Sequence, residues 1–193
     1  MIAFVQGEFI NKTPSQVIVN VNGVGYELQI SLNTYTEIAS LQNGKLLTYL
    51  HITDNAQTLY GFANATEKEM FLNLISVSGI GASTARMMLS GMKPDEISKA
   101  IVQGNTNQLS AIKGIGKKTA ERLIVELKDK LTKYDVTSSF TKSSINKIEA
   151  DAVTALTGLG INKIAAENVI KKVLLSHPDL TLEAIIKQAL KTL

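Results

Sequence analysis

Residues 74–89 read "LISVSGIGASTARMML" and residues 109–124 read "LSAIKGIGKKTAERLI", the second repeating the first at a distance of 35 residues, Gly79 to Gly114. Each copy carries a Gly-Ile-Gly, Gly79-Ile80-Gly81 and Gly114-Ile115-Gly116, inside one apolar frame. Leu74 matches Leu109, Val77 matches Ile112, Ala85 matches Ala120 and Met88 matches Leu123. The pattern predicts a helix, a tight hairpin and a second helix, built twice, with the central isoleucines anchoring the hairpins and the alanines letting helices approach closely. Glycine permits the sharp turn and leaves no side chain between the backbone and a ligand. The amides that open the second helix have no intrahelical partner and sit at the positive end of its dipole, which makes an anion site. Lys117 and Lys118 stand at that same end, where a cation is unfavourable; a phosphate held between them and the amides offsets the repulsion. A lone Gly-x-Gly also marks an ordinary helix-ending turn. Two copies in one frame favour a shared ligand, gripped through phosphate and therefore without reading base sequence.

Upstream of the repeat the period is two. Val17, Val19 and Val21 alternate, "NGVG" turns, and Tyr26, Leu28 and Ile30 alternate again, a hairpin pattern. With "IAFVQGEFI" before it and "KLLTYLHIT" and "AQTLYGF" after it, about five short strands fill residues 1–63, interrupted by a short helical turn at "NTYTEIAS". A five-stranded OB-fold barrel fits this content best, an SH3-like barrel next. At Thr66 the period becomes helical, with "TEKE" reading as a capping box of Thr66 and Glu69. Helices punctuated by Gly91, Pro94 and Gly104 carry residues 64–134 as the tandem helix-hairpin-helix domain. Residues 135–146, Ser/Thr-rich and without a period, read as a flexible linker. Residues 147–193 predict a small three-helix module with an apolar stripe of Leu182, Ile185, Ile186, Ala189, Leu190 and Leu193. The whole is an α+β multidomain chain.

"ALTGLGINKIAAENVI", residues 155–170, does not extend the repeat when Gly158 and Gly160 are laid on its two glycines. Ile164 then falls where the alanine belongs, and Ile161 and Asn162 replace the basic pair. The module is expected to bind protein, with Leu156, Leu159 and Ile161 as contact candidates.

Composition narrows the chemistry. Apolar residues make up 45% of the chain and charged residues 19%, which describes a folded globular protein. No apolar run approaches the roughly 18 residues of a membrane span, and "MIAFVQGEFINK" lacks the pattern of a signal peptide. There is no cysteine, and His51 and His177 are far apart, so no metal site is expected. No phosphate-binding loop pattern for ATP hydrolysis is present. A cytoplasmic protein without metal, cofactor or catalytic site of its own is expected. Net charge is −2 over residues 1–62, +4 over 63–134 and +1 over 135–193, so the repeat lies in the basic part. A repair glycosylase or nuclease on the same hairpin fold, and a scaffold that binds only protein, are the competing readings. The first lacks a visible catalytic constellation, and the paired lysines argue against the second.

The order of barrel, tandem hairpins, linker and helical C-terminus resembles the RuvA family of Holliday-junction-binding subunits over the whole chain. "DNAQTLYGF" (54–62), "LSGM" (89–92) and "GIGKKTAERLIVELKDK" (114–130) are its most specific stretches. The resemblance implies a homotetramer with four-fold symmetry, alone or as two tetramers face to face, that holds a four-way junction open and planar. It implies a UBA-like C-terminal module that recruits the hexameric ATPase RuvB. This chain would then be the non-catalytic subunit of a branch-migration helicase, and ATP would be used by the motor. The resolvase RuvC would act on the same junction, in recombination, DNA repair and the SOS response. By position, Gly79, Gly81, Gly114, Gly116 and Lys118 would contact phosphate, with Lys117 beside them. Ser83 stands where the family often has a lysine. The resemblance also places an acidic pin at Asp54 and Asn55, where two adjacent acids are common.

Overall fold

The computed structural model describes residues 1–138, 144–177 and 180–192, in two compact units, Met1–Asp135 and Val136–Leu193. The first unit opens with β1 (Phe4–Thr13), β2 (Gln16–Val21) and β3 (Val24–Ile30). Val21 pairs with Val24, leaving Asn22 and Gly23 as a two-residue turn with φ of 51° and 89°. Both being positive is the condition of the turn that matches strand twist, which is why Asn-Gly occupies it. After α1 (Leu32–Ile38), β4 (Asn43–Thr53) and β5 (Ala56–Phe62) follow. The strands close a barrel in the order β1-β2-β3-β5-β4, with β4 antiparallel to β1 and β5 parallel to β3 at Gln29 and Ile30. Val17, Val19, Leu28, Ile30 and Leu46 point inward and are essentially inaccessible to solvent, and Ile38 of α1 joins the same core. The closed, α1-interrupted order is that of the OB-type barrel.

The capping box expected at Thr66 and Glu69 does not form. Asn64 caps α2 (Ala65–Ile75), its Oδ1 accepting from the Glu67 amide at 2.9 Å. Glu67 is turned inward and 1% exposed, and its carboxylate accepts from the hydroxyls of Ser31 and, at 2.5 Å, Thr34. Thr34 Oγ1 in turn accepts from the Ala63 amide at 3.1 Å. This cluster joins α1 to the start of α2. Desolvation by burial pushes the Glu67 carboxyl above its ordinary value, against the two hydroxyl donors, and the neighbouring Glu37 adds to the rise. A raised folded-state value means that the folded form binds protons more tightly than the unfolded one. Stability from this group is therefore full below about pH 4.3 and is lost as pH rises through the folded value. Glu67→Gln is expected to flatten that part of the stability–pH curve, which urea titrations between pH 4 and 8 would read; an unchanged slope would count against the assignment.

Beyond α2 come α3 (Ala82–Gly91), α4 (Pro94–Val102), α5 (Thr106–Ser110) and α6 (Lys117–Ser138). Pro94 opens α4 at a position that needs no amide donor, and Glu96 Oε2 accepts from the Lys93 amide at 2.8 Å. One core runs from Tyr60 and Phe62 of the barrel through Phe71, Leu74, Met88, Ile97 and Leu123 to Leu131. Arg86 fastens α3 to the barrel, donating from Nη1 to the Ser15 carbonyl at 2.8 Å and to Gln29 Oε1 at 2.7 Å.

The second unit contains α7 (Ser144–Gly158), α8 (Lys163–Ser176) and α9 (Leu182–Thr192). Its core is Ala152, Leu156, Ala166, Ile170, Val173, Ile185 and Ala189. Of the expected α9 stripe, Ile185 and Ala189 are buried, Leu182 and Ile186 pack beside them, and Leu190 is half-exposed; Leu193 lies outside the described residues. Residues 139–143 of the expected linker also lie outside the described residues, while its flanks fall within the spans of α6 and α7. Among the described residues no helix is long and apolar enough to cross a membrane.

Candidate nucleic-acid interface

The two hairpins match bond for bond. In the first, the Ser76 amide donates to the Leu72 carbonyl, Val77 to Leu74, Ile80 to Val77 and Ala85 to Gly81. In the second, Ala111 donates to Asn107, Ile112 to Leu109, Ile115 to Ile112 and Ala120 to Gly116. Gly79 and Gly114 share a φ of 92°, a left-handed conformation that costs an L-residue about 1–2 kcal/mol. Ile80 and Ile115 are buried anchors, and Ala85 and Ala120 are wholly buried where the helices meet.

Gly81 and Gly116 differ from the first glycines in a way that bears on function. Neither has positive φ, and a Cβ built on either meets nothing within 4 Å. Folding does not require glycine at these positions. Gly81 is the N-cap of α3, extended at φ −82° and ψ 167°, with no side chain capping the helix amides. Lys117 and Lys118 are exposed in the first turn of α6, which carries no acid, and Ser83 is exposed in the first turn of α3. The arrangement presents open amides with two cations at one hairpin and a hydroxyl at the other. Gly81→Ala and Gly116→Ala are each expected to leave the thermal midpoint unchanged or slightly raised, because alanine restricts the unfolded chain. Each should weaken binding to DNA several-fold, read by fluorescence anisotropy, because the new methyl stands where the phosphate approaches.

Beyond Leu47, β4 pairs only with β5, and Thr53 pairs with Ala56, leaving Asp54 and Asn55 as the turn at the tip of that two-stranded ribbon. Both are exposed, as is the flanking Ile52 at 63%. The turn is a projecting tip that carries one carboxylate.

Three family models match in sequence order: RuvA N terminal domain over residues 1–61, SAM-like Helix-hairpin-helix tandem over 71–129, and RuvA, C-terminal domain over 147–193. A protein of Flavobacterium psychrophilum called Holliday junction branch migration complex subunit RuvA is 48% identical, with all of both chains covered. Proteins of the same name from Cytophaga hutchinsonii and Geobacter sulfurreducens are 44% and 43% identical, again over at least 99% of each chain. The chain belongs to the RuvA family.

In the C-terminal module that this family shares, the three contact candidates fare differently. Leu156 is completely buried among Ala152, Ala166 and Ile170, so it has no face to offer a partner and is a core residue. Ile161 packs against the same core, and Leu159 is 63% exposed. Ile164, not among the candidates, is 70% exposed. The hairpin glycine does recur here, two residues away from the register that lays Gly158 and Gly160 on the repeat's glycines. Gly160, at φ 89°, takes the place of Gly79 and Gly114, Ile161 that of the anchoring isoleucine, and Ala166 that of the buried alanine. Two details separate it from the others. α7 ends in a Schellman motif, with Ile161 donating to the Leu156 carbonyl at 3.1 Å and Gly160 to that of Thr157 at 3.0 Å. Asn162 stands where the second glycine would be, and its Oδ1 accepts from the Ile164 amide at 2.9 Å. The helix start is capped from within, and the position of Lys118 is taken by an isoleucine.

Proposed function

We propose that this chain binds Holliday junctions as a four-fold tetramer, holds them open and planar, and recruits the RuvB motor for branch migration in recombination and repair. The observation that carries the reading is the pair of glycines, Gly81 and Gly116, at positions where a Cβ would meet nothing within 4 Å. Open backbone beside Lys117 and Lys118 is a surface for phosphate, and the relatives are named for the junction. The helix amides donate to phosphate oxygens while the lysines neutralise charge. Such contacts fix position and release counterions without selecting sequence, as a complex that moves along arbitrary DNA requires.

Asp54 at the projecting turn acts as the pin. One carboxylate from each of four subunits at the crossover repels phosphates, which disfavours bound linear duplex and helps separate strands. The chain uses no cofactor and hydrolyses no ATP; RuvB does so, and Leu159 lies on the exposed part of the module that meets it. RuvC acts on the junction so held. A gel-shift comparison of a four-way junction with linear duplex of equal length, across a salt series, tests the reading. The junction should survive salt that strips the duplex; equal affinities would reduce the hairpins to a general backbone grip. Asp54→Asn should raise duplex affinity by several-fold and change the migration rate, and a variant unchanged in both would remove the pin from the account.

A further inference from the structure

The two hairpins are unequal in charge. The second begins its helix with Lys117 and Lys118, whereas the first begins with Ala82 and Ser83 and has no cation in its turn. A cation nevertheless lies there. Arg122, on α6 of the second hairpin, donates from Nη1 to the carbonyl of Ser78 at 3.1 Å, across 44 residues of sequence. Ser78 immediately precedes Gly79, and a Cβ built on Gly79 would stand 3.9 Å from the same nitrogen. We infer that Arg122 is the phosphate-binding cation of the first hairpin, lent to it by the second.

The geometry of the side chain fits that role. A guanidinium offers five donors in a planar fork that matches two phosphate oxygens at once. The bond to Ser78 orients the group from one edge, and Nε makes only a 3.8 Å pair with Glu126 in the next turn of the helix. The side chain is 52% exposed, so the guanidinium remains open to solvent beside the Gly79 turn that precedes α3. The loan runs one way. The residue 35 positions earlier, in the helix of the first hairpin, is Met87, which cannot return it. Because Arg122 belongs to one hairpin and holds the turn of the other, it also fixes the spacing at which two phosphates are gripped.

This inference rests on the reading that the hairpins hold phosphate, and a salt series on a synthetic four-way junction separates the two. Wild type, Arg122→Gln, Arg122→Lys and the double variant Ser83→Lys with Arg122→Gln are compared, each with its thermal midpoint. Arg122→Gln is expected to weaken junction binding about ten-fold and to reduce the slope of log affinity against log salt by about one for each first hairpin engaged. Its midpoint should stay with that of wild type, since the lost bond is exposed. Arg122→Lys should keep the slope and recover part of the affinity. Ser83→Lys should restore the slope to Arg122→Gln by placing the charge on the first hairpin's own helix, a rescue that a brace without phosphate contact does not allow. An Arg122→Gln slope equal to wild type, or a double variant that stays flat, overturns the inference alone. Wild-type binding indifferent to salt overturns the phosphate reading, and this inference with it.

Discussion

Replacing Phe71 by alanine is expected to cost the first unit about 3–5 kcal/mol, the range for removing a buried aromatic side chain. Phe71 is wholly inaccessible, and its ring lies 5.5 Å from that of Tyr49, 5.1 Å from Tyr60 and 4.9 Å from Phe62, all in tilted arrangements. Tyr49 belongs to β4 and the other two to β5, while Phe71 is the middle of α2. The site has little freedom to collapse, because the rings around it are fixed by the closed barrel on one side and by the helical core on the other. At a urea dependence of about 1–3 kcal/mol per molar, the loss would lower the unfolding midpoint by on the order of 2 M. The strands β4 and β5 end in the Asp54 turn and α2 leads into the first hairpin, so the same variant should lose preference for junction over duplex before it loses backbone binding altogether. A loss below about 1 kcal/mol would mean that barrel and helices do not share a core.

The hairpins were legible in the sequence because their determinants are local. A glycine with positive φ, an anchoring isoleucine three residues after the apolar residue that follows the helix (Val77 or Ile112), and an alanine four residues after the second glycine lie within one short window, and the window occurs twice. Asn-Gly between two alternating runs announced its turn in the same way. The failures lie where a distant part of the chain decides between equivalent local options. Asn64 and Thr66 are both capable helix caps, and Asn64 prevails because Glu67 is drawn to Ser31 and Thr34, more than 30 residues away. Leu156 and Leu159 are both leucines within two residues of Gly158, and only the packing of α8 and α9 determines that one is core and the other surface. The third glycine turn is masked in the sequence because the pair Gly158 and Gly160 suggests the wrong register, whereas the geometry has Asn162 in place of the second glycine. Arg122 carried no local signal, since an arginine in a solvated helix face is ordinary until its partner carbonyl is seen.

Charge reversal at the start of α6, Lys117→Glu with Lys118→Glu, should move stability and binding in opposite directions. The two lysines stand at the positive end of a long helix, with no acid in its first turn to balance them. Each cation there is unfavourable by about 0.3–1 kcal/mol and each anion favourable by a similar amount. The double variant should therefore unfold at a temperature equal to or higher than wild type. Junction affinity should fall by roughly 100-fold or more, since each engaged second hairpin loses two cations and gains two anions facing phosphate. Far-UV circular dichroism melts and a gel shift at one fixed salt concentration would read both effects from the same preparation. If the lysines served the fold, through surface pairs or by covering apolar area, stability would fall with binding. Opposite signs would show that a cost in folding free energy is retained at this helix end because the ligand offsets it, which is the physical meaning of a binding residue placed against the preference of its own helix.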